Sequence, residues 1–166
     1  GTTGLDFIQA LVAFVALVAL GIFTHVFIYY PILLTSAGIS PLRFFKLGGE
    51  ALMTAFSTGS SLATLPVTLR TLQEKMGVSP SSSRLAACVG TNLNHDGILL
   101  YEAVTALFIA NVMGIPLDFG SQVLLVAVST LAAVGIAGVP DAGLVTLSLV
   151  LGTVGLPLGA VPLLMP

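Results

Sequence analysis

The sequence predicts an all-α integral membrane chain with two re-entrant helical hairpins and a broken transmembrane helix. Three observations predict it. First, 56% of the 166 residues are hydrophobic and only 7% are charged, against about 25% charged in a soluble domain. The mean hydropathy is +1.09. So few charges cannot cover a water-facing surface, and a bilayer removes that requirement. Second, the apolar segments are interrupted by short runs of Gly, Ser, Asn and Asp. Third, Arg43 and Lys46 flank one interrupted segment on one side, and Arg70, Lys75 and Arg84 flank it on the other. Cytoplasmic flanks collect Lys and Arg, so that segment is expected to enter and leave the bilayer on the same face.

The elements follow in order. Residues 1–37 hold the nearly continuous apolar run Leu5–Leu34, longer than the roughly 20 residues a span needs, hence a tilted transmembrane helix. His25 lies within it as a helix-packing residue, and Pro31 predicts a kink or an early end. Residues 41–77 form the first re-entrant hairpin. Pro41 suits a first helical turn, Leu42–Thr58 and Ala63–Lys75 are the arms, and Gly59-Ser60-Ser61 is the tip. Residues 82–114 form the broken transmembrane helix, apolar from Leu85 to Met113 but interrupted from Gly90 to Gly97. An Asp at mid-membrane costs roughly 2.5–3.5 kcal/mol on insertion scales, so Asp96 cannot face lipid, and the interruption reads as unwound chain between two half-helices. Residues 118–155 form the second re-entrant hairpin, with arms Gly120–Ile136 and Ala142–Val154 and the tip Ala137-Gly138-Val139-Pro140-Asp141. Residues 160–166 read as the start of a further transmembrane helix. Both ends read as cuts in a longer protein, and no signal peptide is expected from the first residues.

Several functions are excluded. The net charge is −2 and the five basic residues form no patch, so no nucleic-acid partner is expected. Cys88 has no second cysteine to pair with and reads as a small packing residue. Ser60 or Ser61 with His95 and Asp96 admits an intramembrane hydrolase as an alternative. That chemistry needs nucleophile and base within about 3 Å, adjacent His95 and Asp96 point in different directions on a helix, and no G-x-S-x-G elbow is present. The chain is therefore read as not an enzyme, with no cofactor.

What remains is a chain of span, broken hairpin, broken span and broken hairpin. Two interrupted units at corresponding places point to a transporter built from inverted repeats. Non-helical backbone at membrane depth survives only where protein or a water-filled cavity surrounds it. Helix breaks leave free N–H groups at half-helix starts and free C=O groups at half-helix ends. The former attract carboxylates and the latter attract cations. The residues thus point to ion-coupled transport. A membrane channel is the alternative, and paired hairpin gates favour alternating access over an open pore.

Three motifs carry a resemblance. Ser57-Thr58-Gly59-Ser60-Ser61-Leu62-Ala63-Thr64-Leu65-Pro66-Val67-Thr68, Asn94-His95-Asp96-Gly97 with Tyr101-Glu102-Ala103, and Ala137-Gly138-Val139-Pro140-Asp141-Ala142-Gly143 together resemble the dicarboxylate/amino acid:cation symporter family, which includes the glutamate transporters. The resemblance implies a transport domain, a homotrimer as the full-length protein, a multi-pass cell (inner or plasma) membrane location in contact with lipid, and sodium as coupling ion. It implies cation-coupled symport, on sodium, protons or both, of a small dicarboxylate or amino acid by alternating access. It places the substrate at Ser60, Ser61, Ile98, Val139 and Gly143. Cations fall to Gly90, Asn92, Asn94, His95 and Asp96, with Val134 and Ile136 completing a second sodium site. Glu102 matches the glutamate that carries a proton in the animal transporters.

The chain departs from the family pattern at four places. His95 stands where the family has methionine, which keeps sodium and proton both open as coupling ions. Ile98 replaces a threonine that helps bind an acidic side chain. Gly59 stands where the archaeal aspartate transporters place an arginine, and Leu62 replaces a third serine. These departures favour a neutral amino acid or a small carboxylate. The residues alone also admit plainer roles. Ser60 and Ser61 suit close helix approach, Asp96 a polar network, and Glu102 and Tyr101 interhelical packing.

Overall fold

The computed structural model describes residues 4–139 and 141–159, in which eight α-helices and two π-helical turns follow one another and no strand occurs. Pro140 of the second tip and the expected helix start at 160–166 lie outside the described residues. The chain divides into two compact units. The first comprises Gly1–Phe23, Asp96–Val134 and Gly143–Pro166, and the second Thr24–His95 and Gly135–Ala142.

The first unit is built from α1 (Gly4–Thr24), α6 (Asp96–Val112), α7 (Phe119–Gly135) and α8 (Ala142–Thr153). Its core gathers Ala106, Ile109 and Ala110 from α6, Leu125 and Ala132 from α7, and Leu147, Val150 and Leu151 from α8, with Leu156 beyond. Small residues between the bulky ones let helices approach closely, which is how packing replaces the hydrophobic effect in lipid. Gly21 shows this: a Cβ there would stand 2.7 Å from Leu100 Cδ2. One turn-pair earlier, Phe14 packs on Phe108 with ring centroids 4.9 Å apart. Helix α7 starts where Asp118 caps it, its carboxylate accepting the Ser121 N–H at 2.7 Å. That cap also holds the Asp118 carboxyl below the usual carboxylate range, through the Ser121 backbone N–H and then its hydroxyl.

The second unit opens with a π-helical turn, His25–Tyr29, followed by α2 (Tyr30–Ser36). The Tyr30 N–H reaches His25 O, five residues back. A proline ring collides with the carbonyl four residues before it. The widened turn directly ahead of Pro31 relieves that collision with Phe27 O, so the irregularity lies just upstream of the proline. His25 stacks on Tyr29 and meets Tyr30 edge-on, both at 4.7 Å. The run Ile8–Ser36, which crosses both units, has 29 residues and a hydropathy of 2.6. That is longer than the roughly 20 residues a span needs.

Helix α3 (Pro41–Thr58) begins at an N-cap, Ser40, with Pro41 in its first turn. It ends at Gly59, whose φ of 58° is the left-handed conformation that glycine adopts without steric cost. Ser60 then caps α4 (Ser61–Arg70), which runs on through a second π-helical turn, Thr71–Lys75. Arg70 and Lys75 both bond Glu50 of α3, Lys75 at 2.6 Å. Two of the basic residues read as membrane flanks therefore also staple the base of this pair of helices. Helix α5 (Pro80–Leu93) follows, capped by Ser79. It is tied to the π turn by Gln73 Nε2 donating to Ser83 Oγ at 2.8 Å.

Candidate functional site

Within the second unit the tip of the α3–α4 pair, the end of α5 and the segment at residues 137–139 come to one place. The Gly138 carbonyl accepts the Ser60 hydroxyl at 2.8 Å and the Leu62 N–H at 3.1 Å. A Cβ on Gly138 would lie 3.0 Å from Ser61 Cβ, 3.0 Å from the Thr91 carbonyl oxygen and 3.4 Å from His95 Nε2. Ser60 and His95 are buried here, while Ser61 and Val139 are exposed.

At the first tip, side chains satisfy the backbone. Ser60 Oγ accepts the Ala63 N–H at 3.2 Å, and Thr64 Oγ1 donates to Ser60 O at 2.8 Å. Thr58 Oγ1 bridges to Thr64 Oγ1 at 3.2 Å. A Ser or Thr at the first non-helical position satisfies N–H groups that the helix itself leaves open.

The break between α5 and α6 is shorter than the interruption expected from the sequence. Helix α5 continues to Leu93, and only Asn94 and His95 are non-helical before α6 begins at Asp96. Gly90 and Asn92 are helical, not unwound: Gly90 O accepts the Asn94 N–H at 3.0 Å, and Asn92 Nδ2 donates to Cys88 O at 2.8 Å. Asn94, with φ −109° and ψ 88°, ends the ladder. Glycine and polar residues tolerate the helix here because their neighbours still supply its bonds.

A cavity of about 510 Å³ lies among α3, α4 and α5. Ser61, Thr91 and Asn94 line it, as do Thr64, Thr68 and Thr71 along α4 and the turn after it. The threonine column was not singled out in the sequence. Its spacing of four and then three residues, one face of a helix, is the signal that marks it. The volume is that of a small-molecule pocket, and its lining is mostly apolar, with Phe44, Leu52, Leu72 and Met76 among its walls and the threonine hydroxyls, Ser61 and Asn94 as the polar points. Among the described residues no group of three or more His, Cys, Asp or Glu side chains gathers.

The remaining predicted residues divide between the units. Ile136 lies in the second unit with Gly90, Asn92, Asn94 and His95; Asp96, Ile98, Glu102, Val134 and Gly143 lie in the first. There, a Cβ on Gly143 would meet Ile98 Cγ2 at 3.4 Å and the Tyr101 ring at 3.5 Å. Glu102 is fully buried, with 0% exposure, and its Oε1 accepts the Thr146 hydroxyl of α8. Its Oε2 has no hydrogen-bond partner among the described residues. Thr146 was not foreseen as a site residue. It stands 44 positions from Glu102, a separation no local motif spans. Val134 is exposed on α7.

Comparison with known proteins agrees with the motifs. The model of the sodium:dicarboxylate symporter family matches residues 1–166. An excitatory amino acid transporter of Caenorhabditis elegans is 41% identical over 160 residues, covering 96% of this chain and 32% of that protein. Human excitatory amino acid transporter 2 is 43% identical over 148 residues, 89% of this chain and 26% of its own length. Mouse excitatory amino acid transporter 3 is 43% identical over 145 residues, 87% of this chain and 28% of its own. The chain thus spans about a third or less of the relatives it matches. By family model and by identity, the chain belongs to the sodium:dicarboxylate symporter family, a family of membrane transporters rather than enzymes.

Proposed function

We propose that the whole protein is a secondary active symporter that carries a small dicarboxylate or amino acid with sodium, protons or both, by alternating access. The observation that carries this reading is the meeting of two helical tips and a helix break around Gly138. Three sets of helix-end groups converge there, the arrangement that transporters use near the bilayer midplane. In this reading the pairs α3–α4 and α7–α8 are re-entrant hairpins, Pro80–Val112 is a broken transmembrane helix, and the full-length protein is a trimer in a cell membrane.

The donors of the first tip take the substrate carboxylate. Ile98, Val139 and Gly143 complete the substrate site, with Val139 and Gly143 on the gate. Asp96 supplies the anionic charge for the cations, with oxygens from Gly90, Asn92, Asn94, Val134 and Ile136. His95 and Glu102 are the groups able to carry protons. The relatives' names specify excitatory amino acids as their substrates. Ile98 and Leu62 remove two polar groups from the site, which favours a neutral amino acid or a small carboxylate for this chain.

The test is uptake by the full-length protein in proteoliposomes, first under a sodium gradient and then under a proton gradient. Sodium-driven uptake that is lost in Asp96→Asn is the expected result. Uptake that follows protons alone moves the coupling to His95 and Glu102. Absence of gradient-driven uptake for every amino acid and dicarboxylate tried refutes the proposal. Dissipative, non-saturating flux favours a channel.

A further inference from the structure

The five basic residues are scattered along the sequence from Arg43 to Arg84, but folding gathers them at one end of the second unit. Helix α3 runs from that end to the tip at Gly59, and α4 with its π-helical turn runs back. Gln73 on that turn bonds Ser83, which brings the start of α5 to the same end. Arg43, Lys46 and Glu50 follow at spacings of three and four residues, on one face of α3. Arg70 and Lys75 lie against that face, because both bond the Glu50 carboxylate. That carboxylate is thereby committed, and the other one at this end, Glu74, is exposed on the π turn. Arg43, Lys46 and Arg84 are exposed, and among the described residues none of them has a carboxylate partner. Arg84 gives only Nε to the Pro80 carbonyl, at 3.0 Å, and keeps the remaining N–H donors of its guanidinium.

Helix α3, at about 1.5 Å per residue, is about 27 Å long, close to the thickness of a hydrocarbon core. Lys and Arg are costly at the bilayer centre, so five of them at one end set that end at a bilayer surface. Two large apolar side chains sit beside the cations: Leu42, 82% exposed, next to Arg43, and Leu85, 69% exposed, next to Arg84. A leucine and a cation side by side at such a surface suit a lipid, whose chains take the leucine and whose phosphate takes the cation. We propose that this end of the second unit binds the headgroups of anionic phospholipids, with Arg43 and Lys46 as one cationic point, Arg84 as another, and Leu42 and Leu85 against the acyl chains. Charge decides the lipid class. Phosphatidylcholine brings its own ammonium group and gains little from a further cation, whereas phosphatidylglycerol brings a net negative charge. Arg70 and Lys75 stay outside the site, held by Glu50. The re-entrant reading makes this surface the cytoplasmic one; the lipid preference itself stands on the placement of charge and does not depend on transport.

The experiment uses the full-length protein in bilayer nanodiscs, with Cys88 and other accessible cysteines replaced. A bimane fluorophore is placed on Ile39→Cys or on Ser81→Cys, exposed positions beside the two cationic points. Quenching is measured with phosphatidylglycerol and with phosphatidylcholine, each carrying a nitroxide near the headgroup end of one chain. The ratio of the two association constants reads the local preference. It is expected to favour phosphatidylglycerol by about fivefold at each position, the fold-change that one Lys or Arg near an anionic surface contributes. Arg43→Gln/Lys46→Gln brings the ratio close to unity at Ile39→Cys, and Arg84→Gln does so at Ser81→Cys. Arg43→Lys/Lys46→Arg and Arg84→Lys keep it. Raising the ionic strength from about 0.1 M to about 1 M shortens the screening length from about 10 Å to about 3 Å and lowers the ratio. A ratio of unity at both positions without the charge substitutions, or ratios that the glutamine variants do not lower, overturns the proposal. Loss of the preference on adding millimolar inorganic phosphate at constant ionic strength makes this a free-anion site and overturns it as well. Absence of gradient-driven uptake counts against the symporter reading and leaves these ratios as they are.

Discussion

Replacing Thr146 with valine changes almost no volume and removes one hydroxyl, which bonds the Glu102 carboxyl and also lies 3.3 Å from the Gly143 carbonyl of its own helix. Glu102 has 0% exposure, and its Oε2 already lacks a partner among the described residues. Thr146→Val takes the donor from Oε1 as well. A hydrogen bond contributes about 0.5–1.5 kcal/mol net, and leaving a buried acceptor unmade costs about 1–3 kcal/mol. The expected loss is therefore about 2 kcal/mol of stability in the full-length protein. Thr146→Ser restores the hydroxyl and recovers most of it. The assay is thermal or denaturant unfolding in detergent, run as a double-mutant cycle with Glu102→Leu. Once the carboxylate is gone, the valine has nothing to orphan, so the Thr146→Val cost should shrink by at least ~0.5 kcal/mol. Equal costs in the two backgrounds would refute the reasoning, since the bond could then contribute nothing specific.

Two further predictions concern local structure. Gly59→Ala forces a side chain into a left-handed residue with φ of 58° and should destabilise the protein by about 1 kcal/mol, with Gly59→Asn costing less; equal unfolding midpoints for Ala, Asn and Gly would contradict it. The Asp118 carboxyl titrates below its ordinary range because it accepts the Ser121 N–H. A depressed folded-state value means the cap stabilises α7 above the unfolded-state pKa and is lost as pH falls through the folded one. Amide exchange at the start of α7 should accelerate as pH drops below the ordinary carboxylate range, after correction for intrinsic rates. Asp118→Asn should remove that dependence, and a pH response that survives the substitution would reject the assignment.

Tip motifs were legible because local chemistry fixes them. Gly59 stops one helix and Ser60 starts the next, both through contacts within four residues. The same holds for Pro41 at the start of α3, whereas the Ser79-Pro80 start of α5, two residues ahead of the expected 82, was not read. The extent of the helix break was not legible. Gly90-Thr91-Asn92 looks like unwound chain by composition, yet it stays helical because Ala87, Cys88 and Gly90 carbonyls find donors in Thr91, Asn92 and Asn94. The Asp118 cap was missed although its signal, an Asp three residues before a Ser at the head of an apolar run, lay in plain sequence.

By itself the sequence determined the solvent and the vocabulary. So few charges among so many apolar residues require a bilayer, and the order of glycine, serine and proline breaks sets where helices stop. Those are effects of composition and of near neighbours. Only the tertiary structure decided which breaks meet. It set Gly138 against Ser60, Leu62 and Thr91, and it set Thr146 against Glu102. It also paired Arg70 and Lys75 with Glu50 at the surface. The physical reason is that these contacts join residues 20 to 78 positions apart. No helical period reports such partners, and burial makes the Gly138 and Glu102 contacts matter once packing has brought them together.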